Sequence, residues 1–395
     1  MRIGVLTFHS SRNFGANLQT LATQEMLRKL GHEPVIVNYV DEAKLAAFEK
    51  LVPDAQIAEH DAFADRYYNL SPALTSTEAV ADYCRDNLDG VVAGSDAVFR
   101  LATPYEPKRL AKKLLGKKNP FDAFSWDRDV PPFFLPFDAP GLIKGSIAAS
   151  SRGTSFYYLR PSMMRHVGTA LRDFDFVTVR DDWTAKLVLW LSMGAATPHY
   201  SCDPVFGLNS AFTVPEDEKP AEDLSKTILL TGSFDADWTK RLISVIHDRG
   251  YQAVILANPH EKDGDPLFDG ELGLPMSPLR WYSSLASCAG FIGMRFHGYV
   301  SCLANSTPVV TMDVAKPSFG HCDPRNPNYD LARRAGIDGN YFVRRDLMQT
   351  DPEIVIGRLF DADTQKKADA FAVKAPDILY GHLGRFQQIA QSRKG

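Results

Sequence analysis

Residues 1–40 read MRIGVLTFHSSRNFGANLQTLATQEMLRKLGHEPVIVNYV. Positions 2–8 form a short apolar run that ends in polar residues. Positions 16–30 carry a helix-like apolar pattern, which Gly31 stops, and 33–39 form a second apolar run. Strand, helix and strand in that order open a βαβ unit, in which the crossover helix makes the two strands parallel.

The alternation continues outward from this unit. Strands are expected at 90–93, 145–149, 176–179 and 199–202, with a helix over 183–191, and a parallel sheet covered on both faces fits them best. Residues 209–226, including VPEDEKPAED, hold few large apolar side chains and much Pro and charge, so the domain boundary is placed at 211–226. Beyond it, strands are expected at 227–230, 253–257, 291–292 and 308–312, with helices at 238–249, 278–288 and 299–304. The reading is therefore an α/β chain of two Rossmann-like domains, 1–210 and 227–350, the second repeating the architecture of the first. A helical tail at 351–395 either caps the second domain or crosses back to the first.

A chain of 395 residues, 45% of them hydrophobic, can bury more than one core. Its formal charge of −4 lacks the basic footprint of a nucleic-acid binder. No stretch has the roughly 18 apolar residues of a membrane span, and the N-terminus lacks a signal-peptide core. A cytoplasmic location is expected, with the inner face of the membrane open to it; the basic amphipathic run KRLAKKLLGKK at 108–118 is read as touching an anionic membrane surface or a polyanionic substrate, or else as a solvated helix face or mobile lid. Cys84, Cys202, Cys288, Cys302 and Cys322 show no CxxC pair and are read as buried free thiols. His9 and His321 have no metal-ligand spacing, so no metal site is expected. The oligomeric state is open, a homo-oligomer included.

Several motifs occur in order along the chain: Asn13-Phe14-Gly15-Ala16-Asn17-Leu18-Gln19, Gly94-Ser95-Asp96, Ala148-Ala149-Ser150, Val179-Arg180-Asp181, Asp203-Pro204 and Arg295-Phe296-His297-Gly298 with Ser301, Leu303 and Pro308. In this order and spacing they resemble the polysaccharide pyruvyl transferase family. The chain departs from the family pattern at Met294, at Ala97-Val98-Phe99 and at Ser151-Arg152-Gly153. The resemblance implies a GT-B-like fold, with two parallel sheets facing a cleft. It also implies transfer of the enolpyruvyl group of phosphoenolpyruvate to two hydroxyls of a saccharide, free or lipid-linked, which makes a pyruvate ketal and releases phosphate. No metal or organic cofactor is then expected.

A donor carrying phosphate and carboxylate calls for fixed cations and backbone donors. Arg180 and Arg295 each follow an expected strand, whose carboxyl end faces the ligand crevice in an open α/β sheet; for Arg180 the plainer reading is a salt bridge with Asp181 or Asp182. His297 is the expected acid toward the donor's methylene carbon, or else a structural cap. Asp96 is either a base toward an acceptor hydroxyl or a helix N-cap. Asn13, Asn17 and Gln19 either bind sugar hydroxyls or serve the turn. Ser95, Ser150 and Gly298, from the same motifs, complete the expected substrate-binding set. Two other functions suit these residues: a GT-B-like glycosyltransferase using a nucleotide sugar, and a non-catalytic saccharide-binding protein.

Overall fold

A computed structural model describes residues 1–107, 130–232, 234–259, 267–313 and 325–394. The basic run at 108–118, His321 and Cys322 lie outside the described residues. Among those described, Cys84, Cys202, Cys288 and Cys302 are free and buried.

The first sheet orders its strands β2 (Glu33–Ile36), β1 (Arg2–Leu6), β3 (Gly90–Ala93) and β4 (Ile143–Ser146), all parallel. β5 (Val177–Val179) and β6 (Pro198–Tyr200) pair with each other, and bridges Gly145 to Phe176 and Ala149 to Val179 attach them beside β4. The chain adds strands to one side of β1 and then to the other, so the loops after β1 and β3 open a crevice at the carboxyl ends of these parallel strands. α1 (Phe14–Lys29) follows β1, and α2 (Asp182–Ser192) follows β5.

The second sheet has the order β12 (Tyr341–Val343), β11 (Val309–Asp313), β10 (Gly290–Gly293), β7 (Thr227–Thr231), β8 (Gln252–Leu256) and β9 (Gly270–Leu272), again parallel throughout. Numbered from β7, this is the 3-2-1-4-5-6 order of a dinucleotide-binding fold. The second domain thus shares the layers of the first but not its strand order. The strands β9 and β12, at the two edges of this sheet, were not among those expected from sequence. α3 (Pro278–Ser287), α4 (Phe296–Ala304) and α5 (Pro327–Ala335) complete the parts that reach the first domain.

α1 is buried from Phe14 through Leu27, polar positions included. It is wedged between its own sheet and the second domain, so no face of it needs to be wet. Phe14 stacks on Trp281 with ring centroids 5.4 Å apart, and one apolar core runs from Leu18 and Met26 to Tyr282, Tyr299 and Leu379. Several of its polar side chains find partners along the helix or across the fold. Thr20 and Thr23 donate to the carbonyls of Ala16 and Gln19, each at 2.8 Å, and Gln24 donates to the Tyr67 carbonyl at 2.8 Å. The charged segment expected as a linker is pinned as well: the buried Glu218 accepts from Tyr67 Oη at 3.1 Å and from Ser277 Oγ.

The C-terminal residues do both things that the sequence left open. The helix Pro352–Leu359 buries Val355 and Ile356 against the second domain. Then α6 (Ala362–Leu383) and α7 (Arg385–Ser392) cross back to the first. There Gln387 donates to the Leu30 carbonyl at 2.9 Å and Arg393 pairs with Asp175 at 2.6 Å. Phe386, fully buried, meets the edge of Phe176 at 5.2 Å and fills the space that a Cβ on Gly90 would occupy, 2.6 Å from the ring. Phe386→Ala is expected to cost about 3–5 kcal/mol, read as a lower urea midpoint; an unchanged midpoint would mean that the tail does not hold the first domain.

Candidate functional site

A cleft of about 270 Å³ lies between the two sheets. It is built from loops at strand ends: Asn13 to Gly15 after β1, Asp96 after β3, Arg152 after β4, Arg180 after β5, and Arg295 to His297 after β10. Asn326 to Asn328 close it from the start of α5. The first turns of α1, α4 and α5 therefore meet at one place. Neither α1 nor α4 has an acid in its first turn, and no side chain caps α4, so the partial positive charge of these termini faces the cleft.

Behind the opening stands Asp203, whose side chain is 1% exposed. Its Oδ2 accepts from Arg180 Nη1 at 3.1 Å and from Gln19 Nε2 at 2.5 Å, while Oδ1 accepts from the Val205 N–H at 3.1 Å. Arg180 Nη2 donates to Asp96 at 3.3 Å, and the guanidinium lies 4.4 Å from the centre of the Phe296 ring. The imidazole of His297 reaches to 3.8 Å from Asp203 Oδ2. Its Nε2 is buried and makes no hydrogen bond among the described residues.

The electrostatics follow from this packing. Burial acts to raise the Asp96 carboxyl, but the cations Arg180, His297 and Arg152 outweigh it, and Asp96 titrates below the usual carboxylate range. Asp96 also holds a backbone φ of 72°, in the left-handed region that costs a non-glycine residue energy. For His297, burial is the largest influence and lowers the pKa below 6.5; Asp203 and Asp96 pull it back up, and Arg180 and Arg152 push it further down. Three arginines, Arg152, Arg180 and Arg295, line the cleft against two aspartates, Asp96 and Asp313. The lining thus favours an anion.

The sequence matches the family model for polysaccharide pyruvyl transferases over residues 13–316. The chain belongs to that family. Comparison with curated proteins finds no significant sequence match. Among solved structures, UDP-GlcNAc 2-epimerase from Neisseria meningitidis bound to UDP-GlcNAc aligns over 99% of this chain and 99% of its own, with TM-score 0.52 and 11% identity. Arabidopsis thaliana UGT89C1 complexed with UDP-L-rhamnose aligns over 98% of each chain, with TM-score 0.51 and 10% identity. These likenesses show the fold, which is GT-B-like.

In this pyruvyl transferase family member the residues singled out from sequence divide into two groups. Asn13, Asp96, Arg180, Arg295 and His297 meet at the cleft. Arg180 bonds neither sequence neighbour: Asp181 caps α2 through Thr184 at 2.7 Å and accepts from Ser150 at 2.8 Å, while Asp182 pairs with Arg333 at 2.7 Å. Asp96 makes no side-chain cap, because its carboxylate is turned to Arg180. Asn13 caps α1 by accepting from Ala16 N–H at 3.2 Å.

Asn17 and Ser95 are not at the cleft. The buried Asn17 amide donates to the His9 carbonyl and accepts from the His60 ring, both at 2.9 Å, which ties the β1 loop down. Ser95, fully buried, donates to the Ala148 carbonyl at 3.2 Å. Ser150 supports the Arg152 loop, accepting from its N–H at 3.1 Å. Gly298 packs on Phe291 one residue beyond His297. His9 is a buried core histidine held by Asn38 at 3.0 Å.

Sequence reasoning assigned no role to Asp203 or Arg152. The first stood only within a family motif, and the second only as a departure from one. The signal for Arg152 was its place just beyond a strand end.

Gly15 lies where a Cβ would fall 2.0 Å from His297 Cγ. A glycine-to-alanine change in a helix ordinarily stabilises it. Gly15→Ala is instead expected to destabilise the protein by about 1–3 kcal/mol and to move the NMR titration of His297. A more stable variant with an unmoved histidine would refute this packing.

Proposed function

We propose that the cleft transfers the enolpyruvyl carbons of phosphoenolpyruvate onto two hydroxyls of a saccharide. The observation that supports this reading most is the orphaned His297 Nε2, set beside Asp203 and Arg180 where the uncapped start of α4 and three arginines favour a multiply charged anion.

The residues divide the work. Arg295, Arg152 and the α4 terminus hold the phosphate and carboxylate of the donor. His297 gives a proton to the methylene carbon, so the central carbon gains oxocarbenium character and takes the first sugar hydroxyl, which loses its proton. The central carbon's bond to the phosphate oxygen then breaks, with its electrons leaving on phosphate, and the second hydroxyl adds in its place. Two hydroxyl protons are released in total; one replaces the proton spent on the methyl group and one leaves with phosphate. Arginines near the departing group stabilise the charge that develops there. The reaction in this form requires no metal or organic cofactor. Asp96 is a weak base while Arg180 holds it ionised, and it fits better as an acceptor of a hydrogen bond from the sugar.

The test is phosphate release from phosphoenolpyruvate with a panel of free, nucleotide-linked and lipid-linked sugars. His297→Ala is expected to lower acceptor-dependent release about 10²- to 10⁴-fold, and Arg295→Ala to weaken donor binding as well. Turnover of a nucleotide sugar without any phosphoenolpyruvate turnover would overturn the reading.

The pH profile gives a separate check. An imidazole that must carry a proton loses activity as pH rises through its pKa, which burial holds below 6.5 in the free protein. The alkaline limb of kcat/KM is therefore expected below pH 6.5. The limb of kcat is expected at higher pH, because the bound donor's negative charge favours the imidazolium. Coincident limbs, or a limb that His297→Ala leaves in place, would remove His297 from the acid role.

A further inference from the structure

Among the described residues, ten large hydrophobic side chains are exposed, and six of them, Tyr105, Tyr157, Tyr158, Leu189, Trp190 and Met193, belong to one region of the first domain. The concentration is physical and not only sequential. Tyr157 meets Trp190 edge-on at 5.4 Å, and the Tyr105 N–H donates to the Tyr158 carbonyl at 3.4 Å. Leu189 and Trp190 lie on the outer face of α2 and Met193 caps its end, while the inner face buries Thr184, Leu187, Val188 and Leu191. Trp190 is 51% exposed, Tyr157 61% and Met193 81%. A monomer in water gains nothing by presenting such a cluster.

The surroundings carry positive charge. Lys186 sits one turn before Trp190 on the same face of α2, and the exposed Arg165 lies on the neighbouring helix Pro161–Arg172, which contains no acid. Asp182, at the start of α2, pairs with Arg333 and Arg334.

We propose that this surface seats the protein on an anionic lipid membrane. Tyr and Trp suit the headgroup level, where an apolar ring is buried and its polar atom stays wet. Leu189 and Met193 supply purely apolar contact, and the cations answer a negatively charged surface. A second copy of the chain fits less well, because a two-fold contact sets the patch against itself and brings Lys186 and Arg165 toward like charges. The location also suits the proposed reaction, on which this last point rests. Three residues separate Arg152 of the cleft from Phe156 beneath the patch, and Trp183 Nε1 ties the two by donating to the Thr154 carbonyl at 2.8 Å. α2 starts at the domain junction and ends in the patch, a span of about 16 Å at the helical rise. A membrane-borne acceptor would thus be presented near the cleft mouth.

The experiment is co-sedimentation of the full chain with phosphatidylcholine vesicles, with and without phosphatidylglycerol. Binding is expected only with phosphatidylglycerol and is expected to weaken with salt. Replacing Tyr157→Ser with Trp190→Ser, and separately Lys186→Glu, is expected to weaken partition roughly tenfold each, with unchanged circular dichroism and unchanged phosphate release on a water-soluble acceptor. Equal partition of native and variant protein, or none onto anionic vesicles, overturns the proposal. A solution dimer that the paired serine variant splits overturns it too and reassigns the surface to a second copy. Vesicle binding that responds to the variants, in a protein with no phosphoenolpyruvate turnover, would remove the pyruvyl-transfer reading and leave the membrane surface standing.

Discussion

The site depends on a single buried carboxylate. Removing Asp203 from water costs several kcal/mol, and the chain recovers that cost by surrounding it with donors from distant segments: Gln19 from α1, Arg180 from the end of β5 and the Val205 N–H from the turn beside it. Each of these donors is thereby held in position. Arg180 in turn holds Asp96, and the second domain brings His297 to within 3.8 Å of the same oxygen. The two halves of the cleft share one electrostatic centre.

That centre explains why α1 looks unlike a surface helix. A helix with one wet face would show a single apolar stripe, but α1 buries Asn17, Gln19, Thr20, Thr23 and Gln24 alongside its leucines. Its polar side chains turn inward to bind the β1 loop, Asp203 and the Tyr67 carbonyl. The same burial brings Gly15 under the His297 ring, where only a hydrogen leaves room for it. Rigid helix packing at the junction and an accurately placed imidazole are thus one arrangement. The C-terminal helices reinforce it by crossing from the second domain to the back of the first sheet.

Much of this was legible in the sequence, for reasons that differ by element. Buried parallel strands such as β3 and β7 are continuous apolar runs with clear ends, so their positions could be read. The edge strands β9 and β12 were not read. At the site, Arg180, Arg295, His297 and Asp96 were readable because each follows a strand end within a family motif. Asn17 and Ser95 belong to the same motifs but serve the loops beneath the cleft, and a motif does not distinguish a residue that touches a ligand from one that supports it. Arg152 shows the converse, a cleft residue at a point of departure from the family pattern.

By itself, the sequence determined the alternation of strand and helix, the parallel sheets, the family and the strand-end positions from which functional side chains project. These are local properties: hydrophobic period, helix stops and short motifs act over a few residues. Only the tertiary structure decided that Gln19 meets Asp203 across 184 positions, that Arg180 bonds two distant aspartates instead of its neighbours, and that the tail returns to the first domain. Strand order and domain packing set those meetings, because a side chain's partner is chosen by the space it reaches and not by its neighbours along the chain.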